Sequence, residues 1–177
     1  LGLALAIEYL KAFSSNGGVK VCGKEEPVSA SAGVAIVPAK FPFARAYSLS
    51  EDLCKNAKQR RRIEEGGSWI DFQLILDEAP GDLETLRSYL YDHREEKRLC
   101  WRPYRVDGDG CYSWGKFEAA WQAFSTWPRS RAKTMLEALV EGEAATLSLL
   151  KQYNSRGFYL PNLDIGTSNA EGWYGKL

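Results

Sequence analysis

Leu3, Ile7 and Leu10 recur at helical spacing with Ala4 and Ala6 between them, and the run stops at Ser14-Ser15-Asn16-Gly17-Gly18. This pattern predicts a helix over residues 1–14. Val28–Val37 is apolar, rich in small residues and followed by Pro38, which predicts a central strand buried on at least one face. Ala30, Ala32 and Gly33 leave room there for a helix or a ligand to approach the backbone. Phe43, Ala46, Tyr47, Ser50, Leu53, Cys54 and Ala57 share one face of a second helix, which Pro42 opens and Gly66-Gly67 closes. Trp69–Leu76 then alternates, with Ile70, Phe72, Leu74 and Leu76 on one side and Asp71 and Gln73 on the other. That alternation predicts a strand with one packed and one wetter face.

Beyond residue 78 the period changes. Asp82 is placed to cap a helix carrying Leu83, Leu86 and Leu90. Leu99–Val106 reads as extended, and Asp107-Gly108-Asp109-Gly110 reads as a turn. Three further helical patterns follow. The first carries Phe117, Ala120, Trp121 and Phe124. The second follows Pro128, with Ser130 as its cap, and carries Met135, Leu136 and Leu139. The third follows Gly142 and carries Leu147, Leu150 and Tyr153. The order helix, strand, helix, strand and then helices predicts an α+β fold, with a sheet-bearing domain over 1–78 and a mainly α-helical domain over 79–177.

Composition narrows the chemistry. Lys plus Arg and Asp plus Glu each number 23 in 177 residues, so no global basic field draws the chain to nucleic acid. Any such contact needs a local patch. The cysteines, Cys22, Cys54, Cys100 and Cys111, form no C-x-x-C pair, and His93 is the only histidine, a poor supply for structural zinc. Scattered thiols suit a reducing, cytoplasmic setting. No apolar run approaches the roughly 20 residues that span a bilayer, and Leu1–Leu10 carries Glu8 but neither a basic n-region nor a cleavage motif. The chain opens without Met inside a helical pattern, which reads as an N-terminally truncated fragment.

Ser31-Ala32-Gly33-Val34-Ala35-Ile36-Val37, then Phe41-Pro42-Phe43-Ala44-Arg45-Ala46, then Leu53-Cys54-Lys55-Asn56-Ala57-Lys58 form an ordered series. The series resembles the S-[AI]-G-[IV]-A strand and A-x-x-L-x-x-A-K helix of polymerase/cyclase-like palm domains. Lys40-Phe41-Pro42-Phe43 and Ser68-Trp69-Ile70-Asp71-Phe72 are most similar to the second palm of the large subunit of type III CRISPR effector complexes. The helical half after the palm also fits that subunit.

The resemblance implies a partial ferredoxin-like palm, an antiparallel sheet with helices on one face, in a protein of antiviral defence. The intact protein would bind ATP and Mg²⁺ and make cyclic oligoadenylate, alongside other effector subunits and guide or target RNA. It also implies a GGDD hairpin just ahead of the first helix. This chain has none, and Asp107–Gly110 lies in the wrong half to replace it. By matching positions Lys58 is implied as a triphosphate contact and Arg62 as a weaker one, with Ser31 and Gly33 edging the nucleotide. Two alternatives stay open: a catalytically silent scaffold for protein or RNA, and a diguanylate cyclase fragment, which would prefer GTP.

Other candidates carry less. Asp107–Glu118 places acids at positions 1, 3 and 12 of a calcium loop, but Tyr112 stands where the turn needs glycine, and Cys111 is a poor ligand for a hard cation. Asp71, on the polar side of its strand, reads as structural or solvated. Arg102, Arg105, Arg129 and Arg131 accompany Trp101, Tyr104 and Trp127 and suit either RNA stacking or packed loops.

Overall fold

The structure, a computed structural model, describes residues 1–15, 18–76, 82–91, 100–110 and 112–159. It is an α+β fold in two compact units, Leu1–Trp114 and Gly115–Leu177. The boundary therefore falls downstream of the expected 78/79. Two features hold the intervening segment to the first unit. Leu83 and Leu86 pack in the same core cluster as Leu49, Leu53 and Ile75, and a strand at Tyr104–Arg105 joins the sheet.

The first unit begins with α1 (Gly2–Ser15), whose Ile7 and Leu10 are buried as the helical spacing requires. A hairpin follows, β1 (Gly18–Val21) against β2 (Lys24–Pro27). Its connection is Cys22-Gly23, with φ of 51° and 82°, the pair of left-handed residues that a tight two-residue hairpin turn demands.

The main sheet holds β3 (Ser31–Ile36), β4 (Trp69–Leu74) and β5 (Tyr104–Arg105) in that order. Between β3 and β4 runs α2 (Phe43–Ile63), which starts after Pro42 and ends in Arg60, Arg61 and Arg62. Here the expectation of an antiparallel neighbour is corrected: β3 and β4 are parallel, with Gly33 opposite Asp71. A full helix between two strands carries the chain back to the end it left, so the next strand runs the same way. The antiparallel partner of β4 is β5, which pairs Ile70 with Tyr104 and Trp69 with Arg105. Of the extended stretch expected over Leu99–Val106, only Tyr104–Arg105 is strand, and Leu99 lies outside the described residues.

The second face correction concerns β4. Asp71, Gln73 and Ile75 are buried, while Leu74 and Leu76 are 46% and 74% exposed. The side read as wet is thus buried, with Asp71 bonded to Asn56 of α2, and the side read as packed is buried at Ile70 and opens only toward Leu74 and Leu76. α3 (Leu83–Tyr91) begins at the expected cap, where Asp82 accepts the Thr85 amide at 2.9 Å.

The second unit is helical. Trp114, the last residue of the first unit, opens α4 (Trp114–Ser125), and α5 (Arg129–Glu141) and α6 (Glu143–Asn154) follow. Pro128, not Ser130, is the N-cap of α5, since proline tolerates the position where amide donors have no partner anyway. Gly142 closes α5 and opens α6 at φ 131°, a conformation that disfavours side chains. Thr146 Oγ1 then donates across the bend toward the carbonyls of Ala138 and Gly142. The core of this unit joins Trp127, Met135, Leu150 and Tyr153, with Phe124 and Phe158 packed on it.

Candidate functional site

The four residues implied as nucleotide contacts, Ser31, Gly33, Lys58 and Arg62, all lie on β3 or α2. α2 lies directly on β3 at Gly33, where an added Cβ would collide with the Ser50 carbonyl and the Cys54 amide and sit 2.9 Å from Leu53 Cβ. Gly33 therefore admits the helix backbone. Ser31 also lies against α2: its carbonyl accepts the Cys54 thiol at 3.5 Å, and its own Oγ is buried without a partner.

Lys58 and Arg62 occupy the exposed side of the same helix, one turn apart on a shared face. Among the described residues neither makes a hydrogen bond or an ion pair. Their neighbours are committed elsewhere. Arg60 pairs with Glu64 at 2.8 Å and lies 4.0 Å over the Tyr112 ring, Arg61 donates to the Ser29 carbonyl at 3.5 Å, and Lys55 pairs with Asp52 at 3.0 Å. The hydrogen bond and the charge of Asp52 raise the Lys55 pKa. So the basic end of α2 leaves Lys58 and Arg62 available to an outside anion. The structure does not gather the four predicted nucleotide residues around one cleft: Ser31 and Gly33 lie under α2, and Lys58 and Arg62 lie on its outer side. A shallow pocket lined by Glu84, Thr85, Ser88 and Tyr89 of α3 includes none of the four.

Sequence reasoning missed a polar cluster beneath the helices. Asp71, fully buried, accepts Arg87 Nη2 at 2.6 Å on one carboxylate oxygen and Asn56 Nδ2 at 2.6 Å on the other. It thereby ties β4 to α2 and α3. Gln73 donates to the Leu74 carbonyl at 3.1 Å, and Arg102 donates to the Phe72 carbonyl at 2.5 Å and to the Tyr91 hydroxyl at 2.8 Å. The logic is one of backbone satisfaction. β5 is too short to reach the Phe72 and Leu74 carbonyls, so two side chains take the place of a longer strand. The one signal was an acid and an amide at alternate positions of an otherwise apolar strand.

The arginine–aromatic set resolves as packing for three of its members. Arg102 sits 4.8 Å over Phe72, Arg105 pairs with Asp107 at 2.9 Å, and Arg131 sits 3.6 Å over Phe158. Arg129 is exposed. His93 and Cys111 lie outside the described residues. Among the described residues no group of three His, Cys, Asp or Glu side chains is placed to hold a metal, and no helix is long and apolar enough to cross a membrane.

The class these features define is an α+β domain whose small-residue strand is crossed by a basic-ended helix leading into a parallel strand. No protein-family model matches the chain, and no curated protein matches it.

Proposed function

We propose that this chain is the second half of a nucleotide-handling palm, with an appended helical domain, from a protein like the large subunit of type III CRISPR effectors. What supports the reading is element order: the segment bearing the resemblance, residues 28–76, folds as strand, helix and strand with Gly33 at the close approach of strand and helix, while the parallel pairing of β3 and β4 departs from the antiparallel sheet that the resemblance implies. In this reading Lys58 and Arg62 bind the triphosphate of ATP. An ammonium and a guanidinium one helical turn apart suit oxygens of adjacent phosphates. Mg²⁺ would neutralise the remaining phosphate charge and would be held by carboxylates outside the described residues.

The test is ATP binding by the longest available form of the polypeptide, with and without Mg²⁺. Lys58→Ala is expected to weaken binding about tenfold, the loss of one charge-assisted hydrogen bond, and Arg62→Ala to weaken it less. Absence of ATP binding, or binding indifferent to both substitutions, would overturn the reading. Preference for GTP would shift it to a diguanylate cyclase.

A second reading, a silent scaffold that captures protein or RNA partners such as other effector subunits, is favoured by Trp121 and Leu136. These are 68% and 57% exposed on the helices of the second unit, where large apolar side chains suit an interface. Partner capture without ATP binding would select it.

A further inference from the structure

α5 and α6 fold back on each other about Gly142. The Tyr153 hydroxyl donates to the Arg131 carbonyl at 3.3 Å, Met135 and Leu150 share one core, and Thr146 Oγ1 donates to the Ala138 carbonyl at 2.9 Å. The first turns of α5 therefore lie beside the last turn of α6. That juxtaposition sorts the charges of the second unit. Arg129, Arg131 and Lys133 join Lys151 and Arg156 at the open end of this helical hairpin, while Glu141 and Glu143 stand at the bend. Neither limb brings an acid to the open end: residues 119–136 and 144–159 contain no Asp or Glu. Lys133 meets Glu137, one turn toward the bend, at 4.0 Å. Among the described residues Arg129, Lys151 and Arg156 pair with no acid.

Folding does not call for this arrangement. The start of a helix is the positive end of its dipole, where acids stabilise and cations oppose, yet the first turn of α5 holds Arg129 and Arg131 and no acid. Arg131 adds to the same field, with its Nη1 buried and without a hydrogen-bond partner among the described residues. The chain as a whole is neutral, so this end is a local patch of one sign, the kind that draws a polyanion. Its exposed uncharged neighbours Ser130, Gln152 and Asn154 are side chains of the types that contact phosphate oxygens. A ring stands among them. Phe158 is held by Trp127 at 6.0 Å and by Arg131 at 3.6 Å, and the next residue, Tyr159, is 66% exposed. An acidic peptide matches the charge alone. A polyanion that also carries flat bases matches both the charge and the ring.

We propose that the open end of the α5–α6 hairpin is a docking surface for single-stranded nucleic acid, with Arg129, Lys133, Lys151 and Arg156 on the phosphates and Tyr159 stacked on a base. The proposal uses neither Lys58 nor Arg62 and stands whether or not the chain binds ATP.

Fluorescence anisotropy of a labelled uridine oligonucleotide of about 16 nucleotides reads it on the full chain. Affinity is expected to fall with salt at a log–log slope of about −3, from about −0.7 for each of the four exposed cations. Arg129→Ala with Arg156→Ala should bring that slope to about −1.4 and weaken binding at least about tenfold. Tyr159→Ala should weaken binding about fivefold or more and leave the slope unchanged. Glu141→Gln with Glu143→Gln, at the bend, should change neither. The substituted side chains are exposed, so the urea midpoint is expected to stay where it is in every variant. No binding, binding that ignores the substitutions at the open end, or a duplex of the same length held as tightly overturns the proposal. So does displacement of the oligonucleotide by polyglutamate at equal charge, which assigns the surface to an acidic protein. Oligonucleotide binding that behaves as stated in a chain that binds no ATP refutes the nucleotide role of Lys58 and leaves this proposal standing.

Discussion

The two units bury arginine in opposite ways. In the sheet unit Arg87 lies under the helices and is neutralised by a carboxylate, Asp71, that has no exposure of its own. In the helical unit Arg131 lies over the Phe158 ring at 3.6 Å and near Tyr153 at 5.9 Å, with no acid among its partners among the described residues. The difference follows from the elements. A strand crossed by a helix sends every second side chain inward, so a polar residue at an inward position must be met by a partner from a helix. A helix in a bundle offers its charged residues toward the rim, where a guanidinium can cover aromatic faces, and Arg131 Nη1 is buried against them without a hydrogen-bond partner among the described residues. One core is pinned by a specific charge pair and the other by shape and area.

This contrast makes Arg87→Ala the most damaging substitution. It leaves the Asp71 carboxylate buried with Asn56 and the Phe72 amide as its partners among the described residues. The expected cost is about 3–5 kcal/mol, the range for breaking one side of a buried pair, read as a lower urea midpoint. The double change Asp71→Leu with Arg87→Leu removes both charges and is expected to recover much of that loss. Equal damage from the single and double variants would mean that the pair matters through packing and not through charge, and the contrast between the units would collapse.

The helices were legible because their periodicity needs no partner. Leu3, Ile7 and Leu10 mark one face of α1, and Leu53 and Ala57 mark the buried face of α2, although Phe43 and Tyr47, read on that face, are exposed and Leu49 is buried in it. The strands were legible as segments but not in their relations. Orientation depends on what the connection does in space, and the orientation expected from resemblance was antiparallel where α2 makes β3 and β4 parallel. One face of β4 was read as wet although both are covered at Ile70 and Asp71, because alternation marks two sides without saying what packs on each. Apolarity suggested Leu74 and Leu76, yet the neighbouring helices bring Asn56 and Arg87 to satisfy Asp71 on the other. The β1–β2 hairpin escaped notice because its turn is Cys-Gly instead of Asn-Gly or Asp-Gly, and its strands are four residues each. Of the candidate site, Lys58 and Arg62 were legible as a basic helix end. That Arg60 and Arg61 are already engaged, and those two are not, was visible only in three dimensions.

Met135→Ala probes the other side of the comparison. Met135 is 4% exposed in the aromatic cluster of the second unit. The expected cost is about 2–3 kcal/mol, transfer of the lost atoms plus a cavity that rigid rings fill poorly. The loss should be monotonic with volume, so Met135→Leu is expected to cost under about 1.5 kcal/mol. Thermal or urea unfolding followed by tryptophan fluorescence reads both. If Met135→Leu proved as harmful as Met135→Ala, this core would depend on a specific contact as the sheet core does.

At neutral pH the smallest expected effect belongs to Tyr104, which stands between the two modes. It is buried, it packs on Phe72 at 6.3 Å and on Trp114 at 6.1 Å, and it lies near the charged Arg102. Burial pushes its phenol up to about 12 from 10.0, outweighing the opposing pull of Arg102. The folded state thus holds the proton more tightly than the unfolded chain. Stability linked to this group is fully present below pH 10 and is lost as pH rises from about 10 toward about 12. Phenolate absorbance during an alkaline titration should show one tyrosine ionising late and together with unfolding. Tyr104→Phe should leave neutral stability nearly unchanged and flatten the alkaline loss. If the late phenolate persisted in Tyr104→Phe, the shift would belong to another ring, and burial rather than the guanidinium would no longer be the dominant influence at this position.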